Sequence, residues 1–360
     1  MLCLYESTSF DPYENLAIEE YLMNTLPKGT CCLMLWQNAP CVIVGKNQIA
    51  AEEINESFVR KKGILTARRN SGGGAVYQDK GNLNYSVIED MASQERSRSK
   101  TGGREPELRI LQNSFYRYMR PVLYAMKQYG VPAEITGRND IAVGGRKVSG
   151  SAQFCRSGKV LHHGCILITT DLNALCSSLR VNSSKYQTRG IRSVKSRVAA
   201  LCEFTDRPIS TEEFKEQLIF SFRQAFSEGT YMPAVTEKGF MQRILLTDAD
   251  RRKVLELRDQ KYASPGWIYR QNPRCAVHRQ NRTDAGVLTV DMDIKEQRIE
   301  RIVLTGDFFG SEDVGILERR MIGCRLDESL LGLLSDLNVS RYIKGMSAET
   351  LFSILTRPSE

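Results

Sequence analysis

The stretch RRNSGGGAVYQDKGNLNYS, residues 68–86, places three consecutive glycines between a basic pair and an alternating run. The preceding segment ILTARRN is predicted as a short strand. The segment GAVYQDKGNLNYSVIED is predicted as a strand interrupted by a turn at residues 79–82. Glycines permit positive φ and let a backbone approach a ligand closely, which exposes N–H groups to an anion. The pattern fits either such a cradle or a tight turn.

The best-known nucleotide-binding patterns do not describe this loop. The chain contains no GxxxxGK(S/T) sequence, and SGGGAVY does not match GxGxxG. If the loop contacts a phosphate, it therefore does so in another way.

A second informative stretch is GRNDIAVGGRKVSGSAQ, residues 137–153. Asn139 and Asp140 precede a predicted hairpin turn at Gly144-Gly145, and Lys147 follows it among small residues. A lysine with open space above it suits a cation that contacts a phosphate or carbonyl oxygen as a point charge. The alternative is an exposed strand lysine near a hairpin.

Three further features are less diagnostic. His162 and His163 in VLHHGCILI are expected to face opposite sides of a strand, and pocket lining is a more usual role for them than catalysis. Three cysteines near this region, Cys155, Cys165 and Cys176, are candidates for an acyl-accepting nucleophile. Their apolar neighbours favour buried thiols instead. The basic run TRGIRSVKSRV, residues 188–198, is either solvated surface or a contact surface for an acidic partner or phosphates.

Composition narrows the class of protein. The 360 residues are 41% hydrophobic and 26% charged, as in globular proteins of two or three domains. The net charge of +8 is spread along the chain, so nucleic acid is not the expected partner. Ten cysteines in largely apolar settings indicate a reducing compartment, and three histidines without a CxxC pair argue against zinc. With no signal-peptide pattern and no apolar run of about 18 residues, a cytoplasmic protein without a membrane segment is expected.

The predicted elements indicate an α+β fold, with mixed or largely antiparallel sheets flanked by helices. Asp11 is expected to cap a helix in DPYENLAIEEYLMNTL, with Pro12 in its first turn and Glu14 closing a capping box. A second helix is predicted for EEINESFVRKKG. Residues 1–243 are predicted to form a large catalytic domain. Residues 244–360 are predicted to form a small α+β accessory domain with the strands GVLTVDMDI and RIERIVLTGDFF.

Taken together and in this order, these stretches resemble the lipoate–protein ligase family. RRNSGGGAVYQDKGNLNYS is similar to the family's glycine-rich motif. GRNDIAVGGRKVSGSAQ, followed by LHHGCILI and DLNAL, is similar to its lysine motif, and RGIRSVKSRV to a third block. DPYENLAIEE and WQNAPCVIVGKNQ near the start, and WIYRQNP and TGDFFG near the end, extend the resemblance over nearly the whole chain.

The resemblance implies a two-step, ATP-dependent ligase. Lipoate and ATP, the latter with Mg²⁺, would give lipoyl-AMP and pyrophosphate. The lipoyl group would then pass to a lysine of an acceptor domain, in a 2-oxoacid dehydrogenase E2 subunit or the glycine cleavage H protein. Two alternatives remain open: a cysteine-dependent octanoyl or lipoyl acyltransferase of the same superfamily, and a non-catalytic binder of lipoyl domains. The TGDFFG segment favours the ligase over the transferase, because the transferases generally lack that domain.

The resemblance also implies roles for individual residues, with Lys147 as the catalytic group and no resident metal. Asp140 is a candidate for contacting Mg²⁺ or for orientation. The residues implied for ATP and adenylate are Arg69, Ser71, Gly72, Gly73, Gly74, Ala75, Val76, Tyr77, Asp140 and Lys147. Those implied for lipoate are Leu16, Arg69, Gly74, Lys147 and His163, with Val42 and Val76 as further candidates for the apolar wall.

Three positions depart from the family pattern. Gln78 stands where many relatives have His, Cys165 where many have Thr or Ser, and Lys46 where Arg is common. Gln78 is expected to alter hydrogen bonding in the pocket and so bears on the preferred acyl chain.

Overall fold

A computed structural model describes residues 1–90, 107–137, 139–180, 197–227, 241–269 and 275–357. In chain order the strands in these ranges are β1 (Leu2–Glu6), β2 (Cys31–Trp36), β3 (Cys41–Val44), β4 (Leu65–Arg68), β5 (Val76–Gln78), β6 (Asn82–Asp90), β7 (Glu134–Thr136), β8 (Asp140–Val143), β9 (Arg146–Arg156), β10 (Lys159–Leu167), β11 (Gln242–Arg243), β12 (Val277–Thr283), β13 (Gly286–Lys295) and β14 (Arg298–Gly306). The α-helices are α1 (Pro12–Thr25), α2 (Ala50–Glu53), α3 (Glu56–Lys61), α4 (Glu107–Lys127), α5 (Leu172–Ser178), α6 (Thr211–Ser227), α7 (Asp248–Leu257), α8 (Pro265–Ile268), α9 (Val314–Met321), α10 (Glu328–Leu337) and α11 (Ala348–Thr356).

An eight-stranded mixed sheet organises the larger part of the chain, in the order β11-β1-β2-β6-β10-β9-β8-β7. β1 runs parallel to both of its neighbours, β2 and β11, whereas the pairs from β2 through β7 are antiparallel. The predicted α+β class with a mixed sheet is confirmed. Hairpin connections bring β8, β9 and β10 together, so the lysine and histidine stretches lie on neighbouring strands.

A smaller three-stranded sheet, β4-β3-β5, carries the glycine-rich loop between β4 and β5. β3 is parallel to β4 and antiparallel to β5. The two strands predicted on either side of residues 38–40, β2 and β3, are both present. They belong to different sheets, so the turn at Pro40 transfers the chain from one sheet to the other.

The main sheet is covered on both faces, which explains the unbroken apolar run CCLMLW in β2. Leu33 and Leu35 face a core formed with α4 and α6, whereas Met34 and Trp36 face a second core beneath α1. The side chains of β2 are all nearly inaccessible to solvent. Burial of each large apolar side chain contributes roughly 1.5–3 kcal/mol, so both faces hold this central strand in register.

Helix α1 begins as predicted but is capped differently in one respect. Asp11 accepts a hydrogen bond from the Tyr13 N–H at 2.8 Å, and Pro12 occupies the first turn. Glu14 does not close a capping box. Its carboxylate accepts from the Ser9 hydroxyl at 2.6 Å, while the Asp11 N–H donates to that same hydroxyl oxygen at 3.2 Å. The helix predicted for EEINESFVRKKG is divided into α2 and α3, because Asn55 begins α3 as its N-cap.

The last third of the chain has its own core. β12, β13 and β14 form an antiparallel sheet whose buried side chains, such as Leu288 and Leu304, pack with Leu317 and Leu334 of α9 and α10. Residues 244–268 are not part of this core, since Val254 of this segment is buried in the core beneath α1. The domain boundary predicted at residues 243–244 stays a prediction, and the segment that follows it packs on the larger part.

A buried carboxylate fastens residues 244–268 beside the glycine-rich loop. Glu20 of α1 accepts from Lys261 Nζ and the Tyr262 hydroxyl, each at 2.6 Å, and from Asn70 Nδ2 at 3.0 Å. Burial by itself raises the pKa of Glu20, but the Lys261 ammonium and these hydrogen bonds outweigh it and lower the pKa to about 2. Glu20 is therefore charged at neutral pH and positions Asn70 at the start of the loop.

Across the described ranges, none of the helices is both long enough and apolar enough to cross a membrane.

Candidate active site

The floor of the site is a row of residues that crosses five strands of the main sheet. Asn84 of β6 is paired with Trp36 on one side and Cys165 on the other, and Cys165 is paired in turn with Gly150. Gly150 is paired with Asp140 of β8. Directly paired residues place their side chains on the same face, so this row presents an indole, an amide, a thiol and a carboxylate, with a gap at Gly150.

The Lys147 side chain fills the gap above Gly150. A methyl group at Gly150 would lie 2.5 Å from both Cε and Nζ of Lys147. The ammonium lies 2.7 Å from Asp140 Oδ1 and remains about one-third exposed. The Lys147 backbone is held by bonds to Arg197 O at 2.7 Å and from Ala199 N at 2.9 Å. The lysine is thus fixed at its base, with its amine directed over the sheet.

We expect Gly150→Ala to displace the Lys147 amine without unfolding the protein, because the clash is with the flexible end of a side chain. The melting temperature should stay within about 2 °C of wild type, as for changes that leave the core intact. Since a displacement of about 1 Å can cost 10²-fold in rate, lipoate-dependent pyrophosphate release should fall by roughly that factor. A normal rate in a folded variant would show that the position of the amine over residue 150 is not required.

The glycine-rich loop is held by close backbone packing and by Arg69. A methyl group at Gly45 would lie 2.0 Å from Gly73 O, and one at Gly72 would lie 2.2 Å from Phe308 O. Gly73 has φ +88°, in the left-handed region. The Arg69 guanidinium donates to Gly72 O at 2.7 Å and, from the same nitrogen, to the carbonyl of Gly74 at 2.8 Å. Gly45 and Gly72 are therefore required by close backbone contact and Gly73 by its φ, whereas a methyl group at Gly74 would meet no atom within 4 Å.

Arg69 also faces the cavity as a buried cation. Burial lowers the pKa of its guanidinium to about 10, so it stays charged at neutral pH. Its Nε donates to the Ser71 hydroxyl at 3.0 Å. Arg69 thus places a positive charge in the wall beside the glycine-rich loop, where an anion would be stabilised.

A buried hydrogen-bonded chain links α1, β10 and the loop. His163 Nδ1 lies 2.9 Å from Glu19 Oε1, and His163 Nε2 lies 2.6 Å from Ser71 Oγ. The order Glu-His-Ser resembles a hydrolytic triad, but the Ser71 hydroxyl is completely buried and also engaged by Arg69. Its geometry supports orientation of His163, which lines the cavity, and not nucleophilic attack.

His162 lies on the opposite face of β10 from His163, as the strand alternation predicts, but it is buried as well. Its ring contacts Gln153 Nε2 at 2.8 Å and the Tyr85 hydroxyl at 3.3 Å. Burial holds the pKa of His162 well below its usual range, so the ring is neutral. His162 is therefore a core histidine with satisfied nitrogens.

Gln78 belongs to a network of buried amides that ends at the cavity. Its Oε1 accepts from Asn38 Nδ2 at 2.8 Å and from Asn84 Nδ2 at 3.2 Å. Asn38 Oδ1 in turn accepts from Asn15 Nδ2 at 2.9 Å. These bonds fix the orientation of the amides of Gln78 and Asn84, both of which line the cavity.

These features surround a cavity of about 130 Å³. Its wall is largely apolar on the α1 side and polar near Lys147. The lining residues are Leu16, Trp36, Ile43, Arg69, Gly73, Gly74, Ala75, Val76, Gln78, Asn84, Asn139, Lys147, Gly150, Ser151, Ala152, His163, Gly164, Cys165 and Phe309.

The structure brings together most of the residues that the sequence singled out. Ser71 lies beneath the loop and Asp140 beside Lys147. Val42 and Tyr77 pack instead in a separate core with α2, α3 and α5, and neither lines the cavity. Of the basic run at residues 188–198, only Arg197 and Val198 lie within the described residues, where the backbone of each contacts Lys147.

The last third of the chain supplies part of the wall, which the sequence did not predict. Phe309 lines the cavity, and its ring would lie 3.0 Å from a methyl group at Gly73. The Gly306 N–H donates to Asn47 O at 2.9 Å, and Lys46 Nζ lies 2.6 Å from Asp313 Oδ2. The segment TGDFFG signalled an accessory domain, but nothing in it indicated a position over the glycine-rich loop.

Among the cysteines considered as nucleophiles, only Cys165 lines the cavity; Cys155 packs against the α4 core and Cys176 against the core that holds Val42. Burial raises the pKa of the Cys165 thiol, which disfavours the thiolate that attack requires. Within the described part of the chain, no cluster of three or more His, Cys, Asp or Glu side chains is arranged to hold a metal ion.

The cavity, with apolar walls and the cations Arg69 and Lys147, suits a small molecule with an apolar body and an anionic end, and comparison with known proteins specifies the family. Residues 11–223 match the model of the lipoyl protein ligase A/B catalytic domain, and residues 272–355 match that of the bacterial lipoate protein ligase C-terminus. The chain belongs to the lipoate–protein ligase family.

Full-length relatives and solved structures agree with this assignment. The chain is 33% identical over 356 residues to lipoate-protein ligase LplJ of Bacillus subtilis, covering 99% of this chain and 100% of that protein. It is 34% identical over 350 residues to lipoate–protein ligase 1 of Staphylococcus aureus, covering 96% and 97%. P. falciparum LipL1, solved in complex with lipoate, shares the fold with a TM-score of 0.74 at 20% identity over 98% of both chains. A crystal structure of lipoate-protein ligase A bound with ATP gives a TM-score of 0.57 at 26% identity, covering 75% of this chain and 99% of that one.

Proposed function

We propose that this chain is an ATP-dependent ligase that activates lipoate as lipoyl-AMP and transfers the lipoyl group to a lysine of acceptor domains. The observation that carries the proposal is the Lys147 ammonium, which is held over Gly150 at the floor of the cavity and across from the glycine-rich loop. A positive charge in that position suits a reaction in which a carboxylate approaches a phosphate, since both are anions.

In the first step, a carboxylate oxygen attacks the α-phosphate of ATP, and pyrophosphate leaves. Lys147 places a positive charge where the carboxyl and phosphate oxygens converge, and so stabilises the charge of the transition state. Arg69 adds a buried positive charge beside the loop. The backbone of residues 71–77 approaches the adenylate and holds the reacting groups in line.

The remaining site residues would support binding. Leu16 and Val76 offer apolar walls to the acyl chain, and His163, oriented by Glu19, closes the cavity near Trp36. Asp140 holds the Lys147 ammonium at 2.7 Å and so orients it. Magnesium entering with ATP takes much of its coordination from phosphate and water. The single Asp140 carboxylate therefore fits such an ion, which when bound would offset phosphate charge.

The proposed acceptors are the E2 subunits of 2-oxoacid dehydrogenases and the glycine cleavage H protein, modified in the cytoplasm. Support comes from a relative of known structure, a bipartite lipoate protein ligase of Thermoplasma acidophilum described with its E2 lipoyl domain. It is 26% identical with a TM-score of 0.60 and covers 76% of this chain and 98% of that one. The net charge of +8 suits steering of acidic acceptor domains.

The deciding experiment incubates the purified protein with lipoate, ATP and Mg²⁺ and follows pyrophosphate release, then adds an E2 lipoyl domain and measures its lipoylation by mass. We expect pyrophosphate release that depends on lipoate, followed by a single lipoyl addition to the domain. Absence of lipoate-dependent pyrophosphate release would refute the ligase. If Cys165→Ser removed all transfer from a folded protein, the cysteine-dependent transferase would replace it.

A further inference from the structure

Gln78 presents an unpaired hydrogen-bond donor to the cavity. Its side chain is 4% exposed and lies on the same face of β5 as Val76, which also lines the cavity. Its Oε1 accepts from Asn38 and Asn84, whereas Nε2 has no hydrogen-bond partner among the described residues. Asn84 Oδ1 receives no hydrogen bond from them either, so it does not take this donor. The N–H groups of Gln78 are therefore available to a ligand.

The orientation of this amide is set by backbone carbonyls, which can only accept hydrogen bonds. Asn15 Nδ2 donates to the carbonyl oxygens of Ser9 and Gln37, each at 2.9 Å, so its nitrogen and oxygen cannot be exchanged. The Asn38 atom that lies 2.9 Å from the same nitrogen must be an acceptor, Oδ1. Asn38 Nδ2 is then the donor to Gln78 Oε1 at 2.8 Å. Gln78 therefore directs its oxygen at the network and its nitrogen at the cavity.

The distance between Gln78 and Lys147 matches the length of the proposed acyl chain. Asn84, which donates to Gln78, is separated from Gly150 by two strand spacings, roughly 10 Å at about 4.8 Å each. The Lys147 amine lies above Gly150. Lipoate carries its sulfurs at the far end of an eight-carbon chain, which spans about 9 Å when extended, with carbon–carbon bonds of about 1.5 Å. A carboxyl group held by Lys147 therefore brings the dithiolane ring beside Gln78.

Sulfur is the acceptor that lipoate offers at this end of the cavity. The alkyl chain of a fatty acid has no polar atom there, whereas a sulfur bonded to carbon accepts weakly from an N–H. We propose that Gln78 Nε2 donates to a dithiolane sulfur, and that this contact selects sulfur-bearing acids over alkyl acids of the same length, such as octanoate. This inference rests on the ligase function proposed above and names the substrate class of its first step.

The preference arises because a bound acid displaces water from the Gln78 amide. Once the cavity is filled, the N–H groups need a partner on the ligand, and an alkyl chain supplies none. A site that donates a hydrogen bond to its substrate rejects analogues lacking the partner atom, whereas an apolar pocket distinguishes similar chains poorly. Because sulfur is a weak acceptor, we expect a preference of about tenfold. Gln78 is thus a specificity-determining residue that takes no part in the bond changes.

The test is a competition between lipoate and cyclopentylpentanoate, the analogue in which both sulfurs are replaced by methylene groups. Equal concentrations of the two acids are incubated with enzyme, ATP, Mg²⁺ and an E2 lipoyl domain, and mass spectrometry measures the initial ratio of the two adducts. That ratio equals the ratio of the kcat/KM values and does not depend on the fraction of active enzyme. Wild type should favour lipoate about tenfold, and Gln78→Met, which lacks the donor at similar length, should reduce the ratio to within about twofold of unity.

Gln78→His keeps a ring N–H donor and should hold the ratio within about threefold of wild type. Gln37→Met is the matched control, since it removes an amide that donates to Lys80 O outside the cavity wall, and its ratio should equal that of wild type. If Gln78→Met does not fold, Gln78→Leu replaces it. A ratio unchanged by loss of the donor, or a wild-type enzyme that uses both acids equally, would overturn the inference. Failure of the ligase proposal shows separately, as absence of pyrophosphate release with either acid.

Discussion

Lys147→Ala is expected to abolish lipoyl-AMP formation, with a loss of at least about 10³-fold in the rate of pyrophosphate release. The ammonium is the cation placed where the carboxylate and the phosphate must converge, and removal of one such stabilising group costs about 10²–10³-fold or more. Stability should hardly change. The side chain is one-third exposed, and the bonds of the Lys147 backbone to Arg197 and Ala199 remain. The checks are a pyrophosphate assay and a thermal melt.

Arg146→Ala is the matched control for this prediction. Arg146 is the adjacent cation on β9, and its guanidinium lies 2.8 Å from Glu203 outside the cavity wall. Its loss removes the same net charge and should leave adenylate formation within about twofold of wild type, because an exposed ion pair contributes little. Near-normal turnover by Lys147→Ala would mean that another group stabilises the transition state.

Gly45→Ala should disable the site by distorting the glycine-rich loop. The added methyl would lie 2.0 Å from Gly73 O and 3.3 Å from an Arg69 guanidinium nitrogen, so backbone must shift. Overpacking of this kind typically costs about 1–3 kcal/mol. We expect a melting temperature several degrees lower and pyrophosphate release reduced at least tenfold, measured by calorimetry and by the same assay.

Gly332→Ala provides the comparison for Gly45→Ala. Gly332 lies within α10, where a methyl group meets no atom within 4 Å. Alanine favours the helix by roughly 1 kcal/mol, so this variant should be as stable as wild type or slightly more so, with full activity. A Gly45→Ala protein with wild-type melting and turnover would show that the loop accommodates the methyl group.

Local patterns in the sequence were sufficient to predict most elements around the site. Apolar runs and turn residues predicted β2, β3, β9 and β10, and Asp11 with Pro12 predicted the start of α1. The strand β12, VHRQNRT, was not predicted because its residues are polar and the strand lies at a sheet edge, where neither face demands an apolar alternation. β11 has only two residues, too few for any periodicity.

The gathering of the site residues depends on register, which local pattern does not encode. Lys147 and the glycine-rich loop were associated through resemblance to a family, and the cross-strand row that places Asn84 and Cys165 beside Lys147 appears only once β6, β10 and β9 are aligned. The resemblance implied that Arg69 contacts the ligands, but it did not indicate that the Arg69 guanidinium also holds the glycine-rich loop through the carbonyls of Gly72 and Gly74. The unpaired amide donor in the cavity wall is a property of three-dimensional packing, and no residue spacing signals it.

Through Phe309, the last third of the chain contributes to the free energy of substrate binding. Because its ring is part of the cavity wall, any ligand that contacts it adds to the free energy with which that part docks on the rest. By reciprocity, the docking raises the affinity for the ligand by the same factor. Affinity measured on a chain shortened before β12 would therefore report the uncoupled value, and its difference from the full-length value would measure the coupling free energy.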